Sequence, residues 1–259
     1  MESGYSTLER RLDILENISK HSLVKVNDLV DKYKVTSVTI RKDLTYLEKK
    51  NQLIKVRGGA IANKDLKEVY IPTVTEKTTV RQAEKKRIGK AAAALINEND
   101  TIIIDSGSTT LEIVRNFQSF KNLTIITNAL NIATELCVYN KFNIIMPGGN
   151  MLQSTHSLVG FMAEASLKQF YCDKLFMGVD SFSIDKGLST PVAEEARINQ
   201  IMISIAKEVI AVCDSSKFNK RGFAFIASVA EVDTIITDEG IPEDIRKTLL
   251  EMGKRVIIA

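Results

Sequence analysis

Long apolar runs are missing from this chain of 259 residues. Although 44% of the residues are hydrophobic, enough for a packed core, no stretch approaches the roughly 18 uninterrupted apolar residues of a membrane span. The opening MESGYSTLERR has no apolar segment of the kind a secretory signal carries, so a cytoplasmic location is expected. Cysteine is scarce. Cys137, Cys172 and Cys213 are odd in number, far apart and without C-x-x-C spacing, and they read as reduced core or near-core thiols. With only His21 and His156 present, a histidine-rich metal site is excluded, and neither a metal nor a cofactor is expected. Neither G-x-G-x-x-G nor G-x-x-x-x-G-K-S/T occurs, and no aromatic pair is placed to stack on a base, which weighs against a nucleotide ligand.

What is present points to two domains, since the length exceeds that of a usual single domain. The net charge of +3 is unevenly spread: residues 1–61 hold twelve Lys and Arg against eight Asp and Glu, and the other 198 residues hold 23 against 24. A small basic head on a nearly neutral body implies that only the head meets a polyanion. In the head, Leu8, Leu12, Leu15 and Ile18 recur at helical spacing. Val24 and Val26 alternate like a short strand, and Asn27 suits the N-cap of a helix carrying Leu29, Val30 and Tyr33. A second short helix follows, capped by Thr36, with Ile40, Leu44 and Leu47 as its buried stripe. Its opposite face carries Ser37, Thr39, Arg41 and Lys42, the layout of a helix that offers polar residues to base edges. The run QLIKVRGGAI then predicts a two-stranded wing, with Lys55 and Arg57 placed for phosphates.

The segment VNDLVDKYKVTSVTIRKDLTYLEKKNQLIKVRGGA resembles the winged helix-turn-helix signature of the DeoR family of bacterial sugar-catabolism repressors, through Thr39-Ile40-Arg41, Asp43-Leu44, Leu47-Glu48 and Gly58-Gly59-Ala60. Thr36 stands where the family usually has Ser, and Asn51 where it has Gly; Asn tolerates the left-handed conformation of a helix exit. Lys42 in place of Arg keeps the charge and loses bidentate geometry. The expected layout is a DNA-binding domain over 1–62 with its helix-turn-helix at about 24–43, a linker over 63–84, and an effector-sensing and oligomerisation domain over 85–259.

In the body, apolar runs at 101–105, 123–127, 142–146, 174–179, 208–213, 233–237 and 254–258 alternate with helical segments at 109–117, 129–139, 160–170, 192–206 and 242–252. That alternation predicts an α/β fold with a mostly parallel sheet, whose ligands sit beyond the carboxyl ends of the strands. Those ends offer Asp105-Ser106-Gly107-Ser108-Thr109-Thr110, Thr127-Asn128, Gly148-Gly149, Gly178-Val179-Asp180 and Asp214 with Lys217. Hydroxyls, glycine amides, a helix start near Thr109 and a lysine suit phosphate, while the carboxylates and Asn suit sugar hydroxyls. Any α/β domain puts small polar residues in such turns; five converging on one sheet edge argue for a site.

The body also resembles the DeoR effector-sensing domain, through DSGSTT, IITN, PGG, GVDS, DSSKF and ITDEGI. That domain is similar to the ribose-5-phosphate isomerase and CoA-transferase fold. The resemblance implies a phosphorylated sugar as inducer, with phosphate near Gly107 to Thr110 and sugar near Asp105, Asn128, Gly149, Asp180, Asp214 and Lys217. It also implies that Lys77 and Lys85 link sensor to head. The stretch LFMGVDSFSIDKGLSTPVAEEARIN looks most like the branch that represses N-acetylgalactosamine and galactosamine catabolism, which implies that the run Glu194-Glu195-Ala196-Arg197 starts a helix near the sugar, with Glu194 as its site residue. The expectation is a DNA-binding repressor, not an enzyme, released from operator DNA by a sugar phosphate and assembled as a homodimer or homotetramer. The competing reading is an isomerase-like enzyme with an accessory DNA-binding head, since Asp105, Asp180, Glu194 and Lys217 are of the types that proton transfer uses.

Overall fold

The computed structural model describes residues 5–63 and 70–259, and the chain divides into two compact units, Met1–Pro72 and Thr73–Ala259. The first unit runs α1 (Thr7–His21), β1 (Leu23–Lys25), α2 (Val26–Tyr33), α3 (Ser37–Lys49), β2 (Leu53–Val56) and β3 (Gly59–Ala62). Ser6 and Glu9 form a reciprocal capping box that starts α1. Its buried face is Leu8, Arg10, Ile14 and Ile18, whereas Leu12 is 38% exposed. The expected stripe is thus rotated, because Arg10 turns inward to pair with the buried Asp43 at 2.5 Å while Arg11 takes the other carboxylate oxygen at 2.8 Å. Asn27 does not cap α2: the helix begins at Val26, with Lys25 at the cap position and no side-chain cap bond.

Thr36 caps α3 as expected, its Oγ1 accepting from the Thr39 amide at 3.2 Å. Ile40, Leu44 and Leu47 are fully buried in one core with Ile14, Ile18, Leu29 and Tyr33. Asn51 leaves α3 with φ +57°. The hairpin of β2 and β3 turns at Arg57-Gly58, and β1 joins the far edge of β3. Gly59 makes that junction possible, since a Cβ there would lie 2.1 Å from the Val24 carbonyl oxygen. The unit is a winged helix.

The second unit runs α4 (Val74–Thr78), α5 (Gln82–Ala93), β4 (Thr101–Ile104), α6 (Ser108–Val114), β5 (Thr124–Ile126), α7 (Leu130–Cys137), β6 (Asn143–Ile145), β7 (Asn150–Leu152) and β8 (Ser157–Val159). It continues with α8 (Phe161–Leu167), β9 (Cys172–Gly178), β10 (Ser181–Ser183), β11 (Gly187–Thr190), α9 (Ala193–Ser204), β12 (Ala206–Val212), β13 (Ala224–Ala227), β14 (Thr234–Thr237), α10 (Glu243–Glu251) and β15 (Arg255–Ile258). The seven strands read from the sequence form one parallel sheet in the order β15-β14-β12-β9-β4-β5-β6. It is covered on both faces, which is why its strands are continuous apolar runs. On β4, Ile103 points into one core while Ile102 and Ile104 point into the other.

Residues 63–84 are not all connector. Of these, 64–69 lie outside the described residues, but a Thr73–Glu76 capping box starts α4, and α5 already runs from Gln82. The β7–β8 hairpin and the antiparallel sheet β10-β11-β13 went unread because their strands are only three or four residues long, and β8, β10 and β11 also carry Ser, Thr or Gly. Among the described residues no helix is long and apolar enough to cross a membrane. Cys172 and Cys213 are buried thiols, but Cys137 is exposed on α7.

Candidate functional site

On the winged helix, α3 holds Ser37 exposed at its first turn and Arg41 and Lys42 exposed away from its buried stripe. None of the three has a side-chain partner among the described residues. Asp43, gripped by Arg10 and Arg11, fixes the rotation of α3 about its axis, and the Arg11 guanidinium also stacks 3.8 Å from the Tyr46 ring centre. Thr36 and Thr39 are bonded to each other at 3.0 Å, so their first role is to start the helix. Lys55 turns back onto α3, donating to Thr45 Oγ1 at 2.9 Å with Glu48 at 3.8 Å. Arg57 is exposed at the wing tip.

In the second unit, a cavity of about 50 Å³ lies at the carboxyl ends of β4 and β9. Ser106, Gly107, Ser108 and Thr109 line it together with Asp105, Asp180 and Lys217. The helix α6 is only seven residues long, so the positive charge facing the cavity comes from Lys77 and Lys217 rather than from a long helix dipole. From α4, Val74 and Lys77 reach into the same space. Lys77 Nζ donates to Asp180 Oδ1 at 2.6 Å. Lys85, on α5, donates to the Lys77 backbone carbonyl and so supports that turn from behind.

Burial and charge set the protonation of the cluster. Burial raises Asp105, the nearby Glu195 carboxylate raises it further, and amides from Ser106, Asn199 and Gly178 oppose them; the result is about 8. Burial would likewise raise Asp180, but Lys77 and Lys217 outweigh it and hold it at about 2. Burial lowers Lys85 to about 8, against the pull of Asp214 and with the help of Lys217 and Lys77. Lys77 shows the reverse balance: burial would lower it, and Asp180, Glu195 and Asp105 together raise it. The site therefore holds two cations against one firmly ionised carboxylate and one carboxyl able to donate a proton, with Glu195 beside them.

Not every residue expected at the site reaches the cavity. Thr110 is fully buried and donates to the Gly107 carbonyl at 3.1 Å, closing the turn. Thr127 accepts from the Ala129 amide at 3.1 Å, and Asn128 faces β8, where its backbone carbonyl takes the Leu158 amide at 2.7 Å. At Gly149, with φ +111°, a Cβ would meet the Val159 carbonyl oxygen at 2.5 Å, so that Gly serves the hairpin; Gly148 (φ +73°) only turns the chain. Asp214 caps its own turn by accepting from the Ser216 amide at 3.0 Å, and its carboxylate lies 3.7 Å from Arg81 Nε. Glu194 is exposed, and its neighbour Glu195 is the one that enters the cavity.

The helix-turn-helix of the chain matches the model of the DeoR-like helix-turn-helix domain over residues 10–65, and the α/β unit matches the DeoR C terminal sensor domain over residues 80–239. The chain belongs to the DeoR family. Among its relatives, a protein assigned as aga operon transcriptional repressor in Escherichia coli O157:H7 is 37% identical over 97% of this chain and 94% of its own length. An HTH-type transcriptional regulator of Haemophilus influenzae is 34% identical over the full length of both. Ribose 5-phosphate isomerase A of Methanocaldococcus jannaschii has a TM-score of 0.40 at 16% identity, covering 54% of this chain and 56% of that one. A likeness at that level says nothing of activity. The DeoR-family regulator is a DNA-binding transcriptional repressor and not an enzyme, which sets the isomerase-like alternative aside.

Within this DeoR-family sensor, the polar cavity residues the sequence did not disclose are Thr155, Thr190 and Asn199, while of the run Glu194-Glu195-Ala196-Arg197 it is Glu195 that lines the cavity. Glu195 is held by Ser157 Oγ at 2.8 Å and Thr190 Oγ1 at 3.4 Å. A helical reading of AEEARIN had the signal for it: Glu195, Asn199 and Met202 share the buried face of α9, while Arg197 turns outward to pair with Glu164.

Proposed function

We propose that this repressor controls an operon for the catabolism of a sugar, an amino sugar in particular, and that a phosphorylated sugar releases it from operator DNA in the cytoplasm. The observation that carries the reading is the joining of Lys77 and Lys217 to Asp105, Asp180 and Glu195 around one cavity. Cations and hydroxyls suit a phosphate, and carboxylates suit the hydroxyl groups of a sugar. The relative assigned to the aga operon supports the amino-sugar branch. The effector residues in this reading are Asp105, Ser106, Gly107, Ser108, Thr109, Asp180, Glu195 and Lys217, with Lys77 at the entrance. On the winged helix, Arg41 and Lys42 read bases, and Arg57 and Lys55 meet phosphates.

A cavity of about 50 Å³ is far below the roughly 300 Å³ at which small-molecule pockets begin. Effector entry therefore has to displace something. The side chain placed to move is Lys77, carried by a helix of five residues. Thermal unfolding of the purified protein against hexose and hexosamine 6-phosphates, with free sugars and nucleotides as controls, tests the reading. A ligand at a hundred times its dissociation constant adds about 2.7 kcal/mol, and the same compound has to lower operator affinity in a mobility assay. Stabilisation by nucleotides alone, or by sugar phosphates that leave operator binding unchanged, would refute it.

A further inference from the structure

Helix α9 brings into the cavity one polar side chain that its neighbours leave unserved. Glu195 and Asn199 lie four residues apart on the buried face of that helix, and both line the cavity. Glu195 is engaged, with Ser157 Oγ donating to one carboxylate oxygen at 2.8 Å and Thr190 Oγ1 to the other at 3.4 Å. Asn199 is only 5% exposed, and its amide Nδ2 has no hydrogen-bond partner among the described residues. That amide stands near enough to Asp105 to favour the ionised form of the carboxyl, but without the geometry of a hydrogen bond. Asp105 accepts instead from the Gly178 amide at 3.2 Å and from Ser106 Oγ at 3.5 Å. A buried donor left without an acceptor is costly, and Asn is a poor helix former. Packing alone would be served better by an apolar side chain such as the buried Ile198 and Met202 of the same helix.

We propose that Asn199 is a specificity-determining residue of the sensor, donating from Nδ2 to an uncharged oxygen of the bound effector. The proposal rests on the sugar-phosphate reading above and adds to it the kind of group that the α9 side of the cavity receives. Three chemistries could be presented there, and two of them fail. A protonated amine has donors and no acceptor, so it would leave Nδ2 unserved. A phosphate oxygen accepts well, but it would bring its charge against the carboxylate of Glu195, one helical turn away, whereas Lys77 and Lys217, on other elements, offer it cations. An uncharged oxygen meets neither objection. A sugar hydroxyl accepts from Asn199 and still has a proton to give to a carboxylate, and an acetamido carbonyl accepts equally well. A site built to hydrogen-bond one ligand oxygen rejects analogues that lack it, because the buried donor is then stranded.

Calorimetric titration of the full-length protein tests it with three probes: a hexose 6-phosphate and its 2-amino and 2-acetamido counterparts. Asn199→Leu is expected to weaken the tightest-binding probe about ten-fold, the worth of one hydrogen bond. It should leave the Tm of the free protein unchanged or higher, since it removes an unpaired buried amide. A residue that only packed the helix would do the reverse, lowering Tm with affinity unchanged. Asn199→Asp keeps the shape and lacks the donor, so it is expected to lose at least as much affinity even where leucine packs badly. A loss shared by all three probes places the oxygen on a hydroxyl they have in common, and a loss confined to the 2-acetamido compound places it on the carbonyl; both support the proposal. A loss confined to the 2-amino compound overturns it. So does unchanged affinity in both variants, and if a probe then still lowers operator affinity, the effector reading stands without Asn199. Should none of the probes bind the unmodified protein, the effector reading falls and takes the proposal with it.

Discussion

Replacing Lys77 with Met removes the cation that lies 2.6 Å from Asp180. Asp180 is held at about 2 against an ordinary 3.8 although burial pulls it upward, with Lys77 and Lys217 supplying the opposite pull. A shift of nearly two units at 1.36 kcal/mol each is about 2 kcal/mol. The two side chains are 17% and 25% exposed, so solvent screens the pair only in part. Losing Lys77 is therefore expected to destabilise the sensor by about 2 kcal/mol, or about 4–8 °C in Tm for a unit of this size. Because the folded pKa of Asp180 is depressed, this stability is fully present above 3.8 and is lost as pH falls through about 2.

Asp180→Asn breaks the same ion pair and lowers Tm as well, but it leaves Lys77 in place and free for a phosphate. The two variants should then part company on ligand binding. If an effector has to draw Lys77 away from Asp180, Asp180→Asn tightens the binding of hexosamine 6-phosphates by up to about thirty-fold, the ratio that 2 kcal/mol allows. Lys77→Met loosens it by a similar factor. Calorimetric titration of both variants, with Tm measured in parallel, decides the matter. Equal changes of the same sign in affinity would refute a competition between ligand and Asp180 for Lys77.

The remaining predictions separate the two units and the roles within the cavity. Arg41→Ala should lower operator affinity by about 10–100-fold, the worth of one bidentate base contact, and leave the unfolding of the sensor unchanged; fluorescence anisotropy with operator DNA measures it, and unaltered affinity would remove Arg41 from base reading. Lys217→Ala should bind operator normally yet resist release by the sugar phosphate, and a loss of DNA binding in folded protein would contradict the sensor assignment. Asp105 has its pKa raised to about 8 by burial and by Glu195. Its stability contribution is thus full below its ordinary 3.8 and is lost as pH rises towards 8, so Asp105→Asn should raise Tm by about 4 °C or more at pH 8 and by less at pH 5. Glu195→Gln should alter effector affinity and Glu194→Gln should not; matching effects would mean that the buried carboxylate plays no part.

The fold was legible where apolar pattern and burial coincide. The inner strands of the parallel sheet bury both faces over most of their length, so their runs are largely apolar, and the seven runs stand out between polar turns. The head was legible for a different reason: Thr36, Ile40, Leu44 and Leu47 cap and seat α3, and each does so by its own local chemistry. Two elements of the head were misread, one through a long-range contact and one at a helix boundary. Arg10 is buried by Asp43, which is 33 residues away, and this turns α1 away from Leu12. Asn27, a good cap by type, sits one residue inside a helix that starts at Val26.

The cavity was half legible, and the division has a physical cause. Asp105 to Thr109, Asp180 and Lys217 stand at the ends of parallel strands, so topology alone brings them together. Thr155, Thr190, Glu195 and Asn199 come from a hairpin, a short antiparallel strand and a helix that pack over the sheet, and no strand-end rule reaches them. Their hydrogen bonds show what they contribute: Thr155 bonds Ser157 at 2.7 Å, Ser157 bonds Glu195 at 2.8 Å, and Thr190 reaches the other Glu195 oxygen at 3.4 Å. This chain of hydroxyls satisfies a carboxylate buried beside Asp105. Lys77 has Asp180 as its ion-pair partner, and that pair is partly exposed. In the proposed reading, an effector that parts this pair puts its binding energy into moving α4, which is a response to a ligand rather than a transformation of one.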